Sequence, residues 1–354
     1  MPVSELFINL DLQTVIEIVF LGFIGGVLSG FIGTGGAFIM TPGMMNLGVP
    51  GVIAVGTNIA HKFGKAIMGS KKHGEMGHVD KKLGFFMLIT ATIGIRAAVE
   101  INQYFARMDL EEGSKFSGDL YISILFVVVL SIISIPMLID AVRYKQLRTK
   151  DSISITEKIS KLKIPPMIYF KTADVTLSFW LIAIVGLLTG FLAGSIGVGG
   201  FLGVPAMIYL FGIPTAVAAE TELFLAMFMG AWGAINYAWL GQVDLRLVLL
   251  LYIGSLSGIY IGAYGSKVVK EKIIRLITAL IILLCVLSRA VIIPVYLNNL
   301  NYMVISEENI EVLTIVSKIL LFTSGSVGVG IIFIYLFRAY LKKHNVRQMI
   351  KNGH

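Results

Sequence analysis

The sequence is poor in charge. Only 14% of its 354 residues are Asp, Glu, Lys or Arg, against roughly 25% in a soluble globular chain. Hydrophobic residues make up 56%, and the mean hydropathy is +0.85. Together these exclude a soluble domain and point to an integral membrane protein. Cysteine is nearly absent: Cys285 stands alone, so no intrachain disulfide and no thiolate metal cluster is expected. Neither a Walker A sequence nor a paired-cysteine motif occurs, so the chain is expected to be neither an enzyme nor an ATP-driven pump, and to need no cofactor. The N-terminus lacks the basic region of a signal peptide, and the first apolar segment is read as a retained span. Short alternating strands are lacking too. Uninterrupted runs such as Leu120 to Ile139 exclude a strand-built barrel.

What is present is apolar sequence in eleven stretches. The first half holds 14–30, 37–48, 52–69, 83–99 and 120–139. The second holds 177–194, 201–211, 216–237, 245–264 and 273–295, and one more runs from 312 to 336. The segments 37–48 and 201–211 are short for a bilayer crossing, which takes about 20 helical residues. Glycine is plentiful and recurs in matching places. Gly22, Gly26 and Gly30 match Gly186, Gly190 and Gly194 at an offset of 164 positions. At the same offset, Gly33, Gly35 and Gly36 match Gly197, Gly199 and Gly200, and Gly48 and Pro50 match Gly212 and Pro214. Thr57 matches Thr221, and Gly77, Val79 and Asp80 match Gly241, Val243 and Asp244. Pro42 and Pro205 are one residue out of that register. So many matches at one offset mean a duplication.

Loop charge sets the relation between the halves. The net charge of +8 is read as lysines and arginines collected in cytoplasmic loops, so no nucleic-acid partner is expected. Loops 70–82, 140–176 and 266–272 and the tail are basic; the N-terminus and loops 100–118, 238–244 and 298–311 are not. This order fits only if each short segment changes side, which makes five crossings per half. The expected fold is therefore an all-α integral membrane protein: two inverted repeats of about five helical segments, one short and broken in each, plus an extra C-terminal helix. The expected parts are a first transmembrane repeat (1–140) and a basic cytoplasmic linker (141–176). A second repeat (177–297), an outer loop with the additional helix (298–337) and a basic cytoplasmic tail (338–354) follow. The protein is placed in the cell membrane, N-terminus outside and C-terminus inside. Residues 153–164 of the linker suit either an interfacial amphipathic helix or a disordered basic stretch.

Two constellations carry candidate chemistry. Gly33-Thr34-Gly35-Gly36, followed by Pro42, and Gly197-Val198-Gly199-Gly200, followed by Pro205, read as helix breaks. Paired breaks in corresponding places of two halves point to a transporter's binding site, and the N–H groups that open a new half-helix favour an anion. The alternative is a pair of plain kinks. The evenly spaced Gly22, Gly26, Gly30 and Gly186, Gly190, Gly194 suit close packing of helices. In the third segment, Asn58, His61, Lys62 and Lys65 fall within about a 100° arc of a helix. Charge inside a membrane is costly and marks function; snorkelling of Lys65 and Lys62 and a structural His61 are the bland readings. The corresponding place in the second half is acidic, with Glu220 and Glu222 flanking Thr221. Those two carboxylates need partners such as Lys62 and Lys65, or a proton. Arg96 and Arg289, near the outer ends, are expected to snorkel.

The doubled glycine motif with its following proline, the Gly-Val/Ile-Pro turn, the threonine of the third segment and the Gly-x-Val-Asp loop resemble the TauE/SafE family of sulfite exporter-like permeases. The resemblance covers roughly residues 14–295. It implies a secondary transporter of small sulfur oxyanions or organosulfonates, working largely outward. Read from the residues themselves and not from the family, Gly33, Thr34, Gly35, Gly36, Thr57, Asn58, His61, Lys62, Gly197, Val198, Gly199, Gly200 and Thr221 are expected to bind the substrate. Glu220, Glu222 and Lys65 form ion pairs or couple transport, and no metal is involved. The partners are a small anion and the lipid bilayer, with homo-oligomers left open. Proton-coupled transport of another organic anion and cation exchange through Glu220 and Glu222 are the alternatives.

Overall fold

The structure, a computed structural model, describes residues 8–32, 36–74, 79–112, 116–142 and 164–352. Among these are eleven α-helices. The first repeat contains α1 (Leu12–Ile32), α2 (Ala37–Asn46), α3 (Gly51–Gly74), α4 (Lys81–Glu112) and α5 (Ser117–Val142). A hairpin of β1 (Met167–Phe170) and β2 (Val175–Ser178) follows. The second repeat contains α6 (Phe179–Ile196), α7 (Gly200–Pro205), α8 (Thr215–Trp239), α9 (Leu245–Val268) and α10 (Glu271–Asn299), with a π-helical turn at Ala206–Leu210 continuing α7. The last helix is α11 (Glu307–Asn352).

Seven of these helices are long and apolar enough to cross a membrane: α1, α4, α5, α6, α9, α10 and α11. The short α2 and α7 drop out of that set, as their length predicts. So do α3 and α8, for a different reason: they are 24 and 25 residues long but carry the histidine, lysines and glutamates singled out above.

Pairing across the repeats follows a two-fold rule. The first helix of each repeat packs on the fourth of the other (α1 on α9, α6 on α4), the third on the third (α3 on α8), and the fifth on the fifth (α5 on α10). Direction settles inversion. Residues 56, 59 and 63 of α3 meet 237, 233 and 230 of α8, so the two corresponding helices run antiparallel. Along α1 and α9, Gly22 meets Leu251, Gly26 meets Ser255 and Gly30 meets Ile259, so this pair runs parallel.

In lipid no hydrophobic effect holds helix against helix, and close packing must do so. A Cβ at Gly26 would lie 2.6 Å from the Ser255 Cα, and one at Gly190 would lie 2.5 Å from the Ala91 Cα. The three-glycine rows are thus contact surfaces. Gly254, Gly258 and Gly262 of α9 return the same approach against α1.

Both half-helices end alike. Gly48 and Gly212 take left-handed backbone (φ +88° and +71°), which costs glycine little. Pro50 and Pro214 then open α3 and α8, with their carbonyls accepting from Ala54 and Ala218. The Gly-x-Val-Asp loops are helix caps. Asp80 Oδ1 accepts the Leu83 N–H, and Asp244 Oδ1 accepts the Arg246 N–H.

Three expectations need correction. Residues 100–112 form the last three turns of α4 instead of a loop. The buried positions Ile95, Ala98, Val99 and Asn102 keep helical spacing past the point where hydropathy falls. The end of the linker forms the β1–β2 hairpin, held on α4: Asp80 Oδ2 accepts from the Thr172 and Ala173 N–H groups, and Lys82 donates to the Tyr169 carbonyl. Residues 143–163, including most of the stretch read as an amphipathic helix, lie outside the described residues. Arg289 does not snorkel. It is fully buried and donates to Asn46 Oδ1 and to Ser317 Oγ at 3.2 Å.

Candidate functional site

The glycine links place two helix beginnings in the middle of the molecule. Gly36, just before α2, packs against Gly25, more than halfway along α1; a Cβ there would lie 2.8 Å from the Gly25 Cα. From that level α2 runs back along α1, with Gly43 against Leu21. Ten residues of α-helix reach about 15 Å, half of a hydrocarbon core roughly 30 Å thick. In the second repeat α6 ends at Gly197, which caps it in the left-handed region at φ +81°. There α7 starts beside Thr189 and Ala193 and runs toward the opposite end of the molecule. The second residue of each half-helix, Phe38 and Phe201, meet edge to face with centroids 5.0 Å apart. The two half-helices therefore stand head to head. Their shared register is 163 positions (201 − 38, and 205 − 42 for the prolines), so the second link is one residue shorter than the first.

Head-to-head helix starts concentrate positive potential, each equivalent to about half an elementary charge. The side chains around them come from both repeats. Asn58 donates to Thr41 Oγ1 at 2.7 Å and to the Ala37 carbonyl at 3.2 Å, fixing α3 to the start of α2. Thr41 in turn reaches the Ile196 carbonyl at 3.3 Å, one residue before the second link. Gly197 lies against this pair: a Cβ on it would sit 2.9 Å from Asn58 Nδ2. Lys62, Ile59, Ala193, Gly194, Gly197 and Gly230 line a cavity of about 10 Å³, room for about one water molecule. A sulfur oxyanion does not fit in so small a space.

Glu222 faces the same region from α8. It is buried, with 5% of its surface exposed, and neither carboxylate oxygen has a hydrogen-bond partner among the described residues. Its electrostatic neighbour is Lys62. The carboxylate rests on Gly203 of α7, where a Cβ would come within 3.0 Å of the Glu222 Cδ. Glu220, also buried, sits half a turn away. Lys65 neighbours Lys62 and His61.

The other sequence-selected residues lie elsewhere. His61 points at α9: Nε2 is 2.8 Å from Ser255 Oγ, and its ring packs on Tyr252 with centroids 4.7 Å apart. Thr57 and Thr221 lie toward opposite ends of the molecule. Thr57 Oγ1 accepts the Asp244 N–H at 3.1 Å, and Thr221 Oγ1 accepts the Asp80 N–H at 3.0 Å. Val198 is buried, and Gly199 and Gly200 form the start of α7. Gly33, Thr34 and Gly35 lie outside the described residues. Thr41, Gly203, Asn102 and Tyr237 escaped the sequence reading. Tyr237, fully buried, donates to the Gly194 carbonyl at 2.7 Å and accepts from Asn102 at 2.6 Å. Gly203 could have been found from the unoccupied space that a buried carboxylate on the next helix requires; Asn102 was hidden in the stretch read as a loop.

The sequence is similar to those of known membrane proteins. The chain is 25% identical over 270 residues to a protein of Bacillus subtilis named probable membrane transporter protein YjnA, covering 76% of this chain and 96% of that one. It is 24% identical over 276 residues to the same organism's probable membrane transporter protein YunE, covering 75% and 94%. A third Bacillus subtilis relative, probable membrane transporter protein YdhB, is 24% identical over 262 residues, covering 73% and 93%. No solved structure matches the chain. The profile of the sulfite exporter TauE/SafE family matches residues 18–289, from the middle of α1 to the buried Arg289 of α10, and the chain belongs to that family of membrane transporters.

Proposed function

We propose that this transporter carries a small sulfur oxyanion, sulfite or an organosulfonate, outward across the cell membrane. The observation that carries the reading is Lys62 on the wall of a small cavity, beside Gly197 and next to the head-to-head starts of α2 and α7. A fixed cation and two positive helix ends within a low-dielectric core favour an anion. Gly36, Gly199 and Gly200 complete the anion shell in this proposal. Thr57 and Thr221 pin the repeats together around it. Access alternates as the inverted repeats rock about the centre.

The orientation proposed is N-terminus outside. The segment 8–11 and residues 116–117, 240–244 and 299–307 share one end of the helix bundle, while 79–81, 164–178, 268–271 and the C-terminus of α11 share the other. The second end carries Lys81, Lys82 and Lys270 and is assigned to the cytoplasm on the positive-inside rule. With the cell interior negative, each anionic charge that leaves gains about 2.3 kcal/mol per 100 mV, so export needs no second ion. Labelled sulfite flux in proteoliposomes at imposed voltage tests the substrate and direction; absence of protein-dependent flux under every gradient would sink the assignment. Cysteines placed at Gly241 and Lys270 should label from opposite sides, Gly241 from outside.

The cation-exchange reading is less favoured. Glu222 has a lysine as its electrostatic neighbour, and a cation there would meet Lys62 and the two helix starts.

A further inference from the structure

We propose that Glu222 is the placeholder for the transported anion, and that the anion displaces it from Lys62 only as the carboxylate takes up a proton. The inference rests on the anion-transport reading above and adds one-to-one proton coupling to it. Three observations meet at this residue. Glu222 is 5% exposed. Both its oxygens lack hydrogen-bond partners among the described residues, so the carboxylate is held by charge and by the room that Gly203 leaves, and little else fixes it. Lys62 lines the cavity together with Ala226, which lies one turn beyond Glu222 on α8.

The charged surroundings leave few other candidates. From α3 come Lys62 and, further along, Lys65 and His61; His61 is engaged with Ser255. From α4 and its cap come Asp80, which is fully used by Leu83, Thr172 and Ala173, the exposed Lys81 and Lys82, and Arg96, which binds Asn236 near the far end of α8 and pairs with Glu100. Neither α6 nor α7 contains a titratable residue, and the π-helical turn carries only Tyr209. On α8 itself the other acid is Glu220.

Charge balance then dictates the cycle. In the empty carrier Glu222 is the negative charge that balances Lys62, without a hydrogen bond between them. An anion entering beside Lys62 leaves two negative groups facing one ammonium in a buried site, a state that desolvation strongly penalises. A proton from the water on the entry side neutralises the carboxylate, and Glu222 withdraws. When the anion leaves, the proton leaves with it to the same side, and the carboxylate returns to Lys62. One proton and one anion thus move together. A divalent anion still carries one net negative charge outward, so voltage continues to favour its export. A monovalent sulfonate moves electroneutrally with its proton and feels only the pH gradient, so the voltage argument for export holds for the divalent anion alone.

The test uses the full chain in proteoliposomes with voltage clamped at zero and protein-free vesicles as blanks. The probes are sulfite and methanesulfonate; the latter remains ionised near neutrality and cannot itself ferry a proton. A one-unit pH gradient is expected to concentrate methanesulfonate about tenfold on the alkaline side. Glu222→Gln is expected to lose that accumulation while still exchanging labelled for unlabelled anion at a changed rate. Glu222→Asp, which keeps a carboxyl, is expected to retain it. Lys62→Gln is expected to lose exchange as well. Wild-type flux that ignores the pH gradient, or gradient-driven accumulation by Glu222→Gln, overturns the coupling and leaves the anion reading standing. Movement of neither probe by the wild type overturns both.

Discussion

The two half-helices come from one duplicated motif, yet they are held differently. α2 is a continuous helix through Pro42. Its start is bound by Asn58, and its far end is gripped through Asn46 by Arg289, Ser288 and Ser317. Ser317 belongs to α11, beyond the residues that the family profile matches. The second copy keeps α-geometry only to Pro205 and then opens into a π-helical turn. At the place of Asn46 stands Tyr209 (46 + 163), which is 46% exposed. A π-turn carries one residue too many for its neighbours' register and is common where helices work. The difference teaches that sequence symmetry need not mean mechanical symmetry. The first half-helix is tied to other helices at both ends, while the second departs from α-geometry after Pro205. Glu222, the buried acid facing the centre, rests on this second half-helix.

The largest expected effect comes from breaking the grip on α2. Arg289→Leu leaves Asn46 and the neighbouring Asp119 without their cation. Each hydrogen bond from a charged donor contributes about 1.5–3 kcal/mol, and those to Asn46 and Ser317 are both lost, so the apparent melting temperature in detergent should fall sharply. Tyr209→Leu, at the matching position, should change it little. Equal losses would remove the distinction between the two half-helices.

Next is overpacking of the glycine rows. Gly26→Leu drives a side chain into the Ser255 backbone, and Gly190→Leu does the same at Ala91. Each should destabilise by about 1–3 kcal/mol, and by similar amounts, because α1–α9 and α4–α6 are the same contact twice. Here the repeats are mechanically alike, so unequal losses would extend the asymmetry from the half-helices to the frame. A smaller and more local effect is expected at Gly203→Ala, whose methyl group displaces the Glu222 carboxyl. Anion flux should drop on the order of tenfold with little loss of stability, as measured by transport and melting on one preparation.

Much of this architecture was legible in the sequence because duplication leaves a register. The offset that pairs Gly22 with Gly186 also pairs Asp80 with Asp244, and loop charges alone ordered the crossings. What stayed hidden depends on contacts between distant residues. Glu222 and Lys62 are 160 positions apart (222 − 62), and nothing local says that Gly203 clears space for the carboxylate. Arg289 looked like a membrane-edge arginine because its partners sit on α2 and α11. The hairpin at 167–178 was missed because its anchor, Asp80, lies in another repeat. Hydropathy also misled at Glu100, where charges begin on one face of α4 while the buried face continues.

The smallest expected effect separates two roles for the paired threonines. Thr57→Val and Thr221→Val keep the side-chain shape and remove the oxygen that accepts the N–H of Asp244 and of Asp80. Each should cost about 1 kcal/mol, and the double variant about their sum, because the two sites lie toward opposite ends of the molecule. If the threonines are pins, the concentration of anion giving half-maximal flux should stay the same in both variants. If they touch the anion, that concentration should rise in one or both, by more than the stability loss explains. The symmetric hydrogen bonds make the first outcome the expected one. These contacts join the third helix of one repeat to the cap of the fourth helix of the other, so they hold the frame around which the unequal half-helices work.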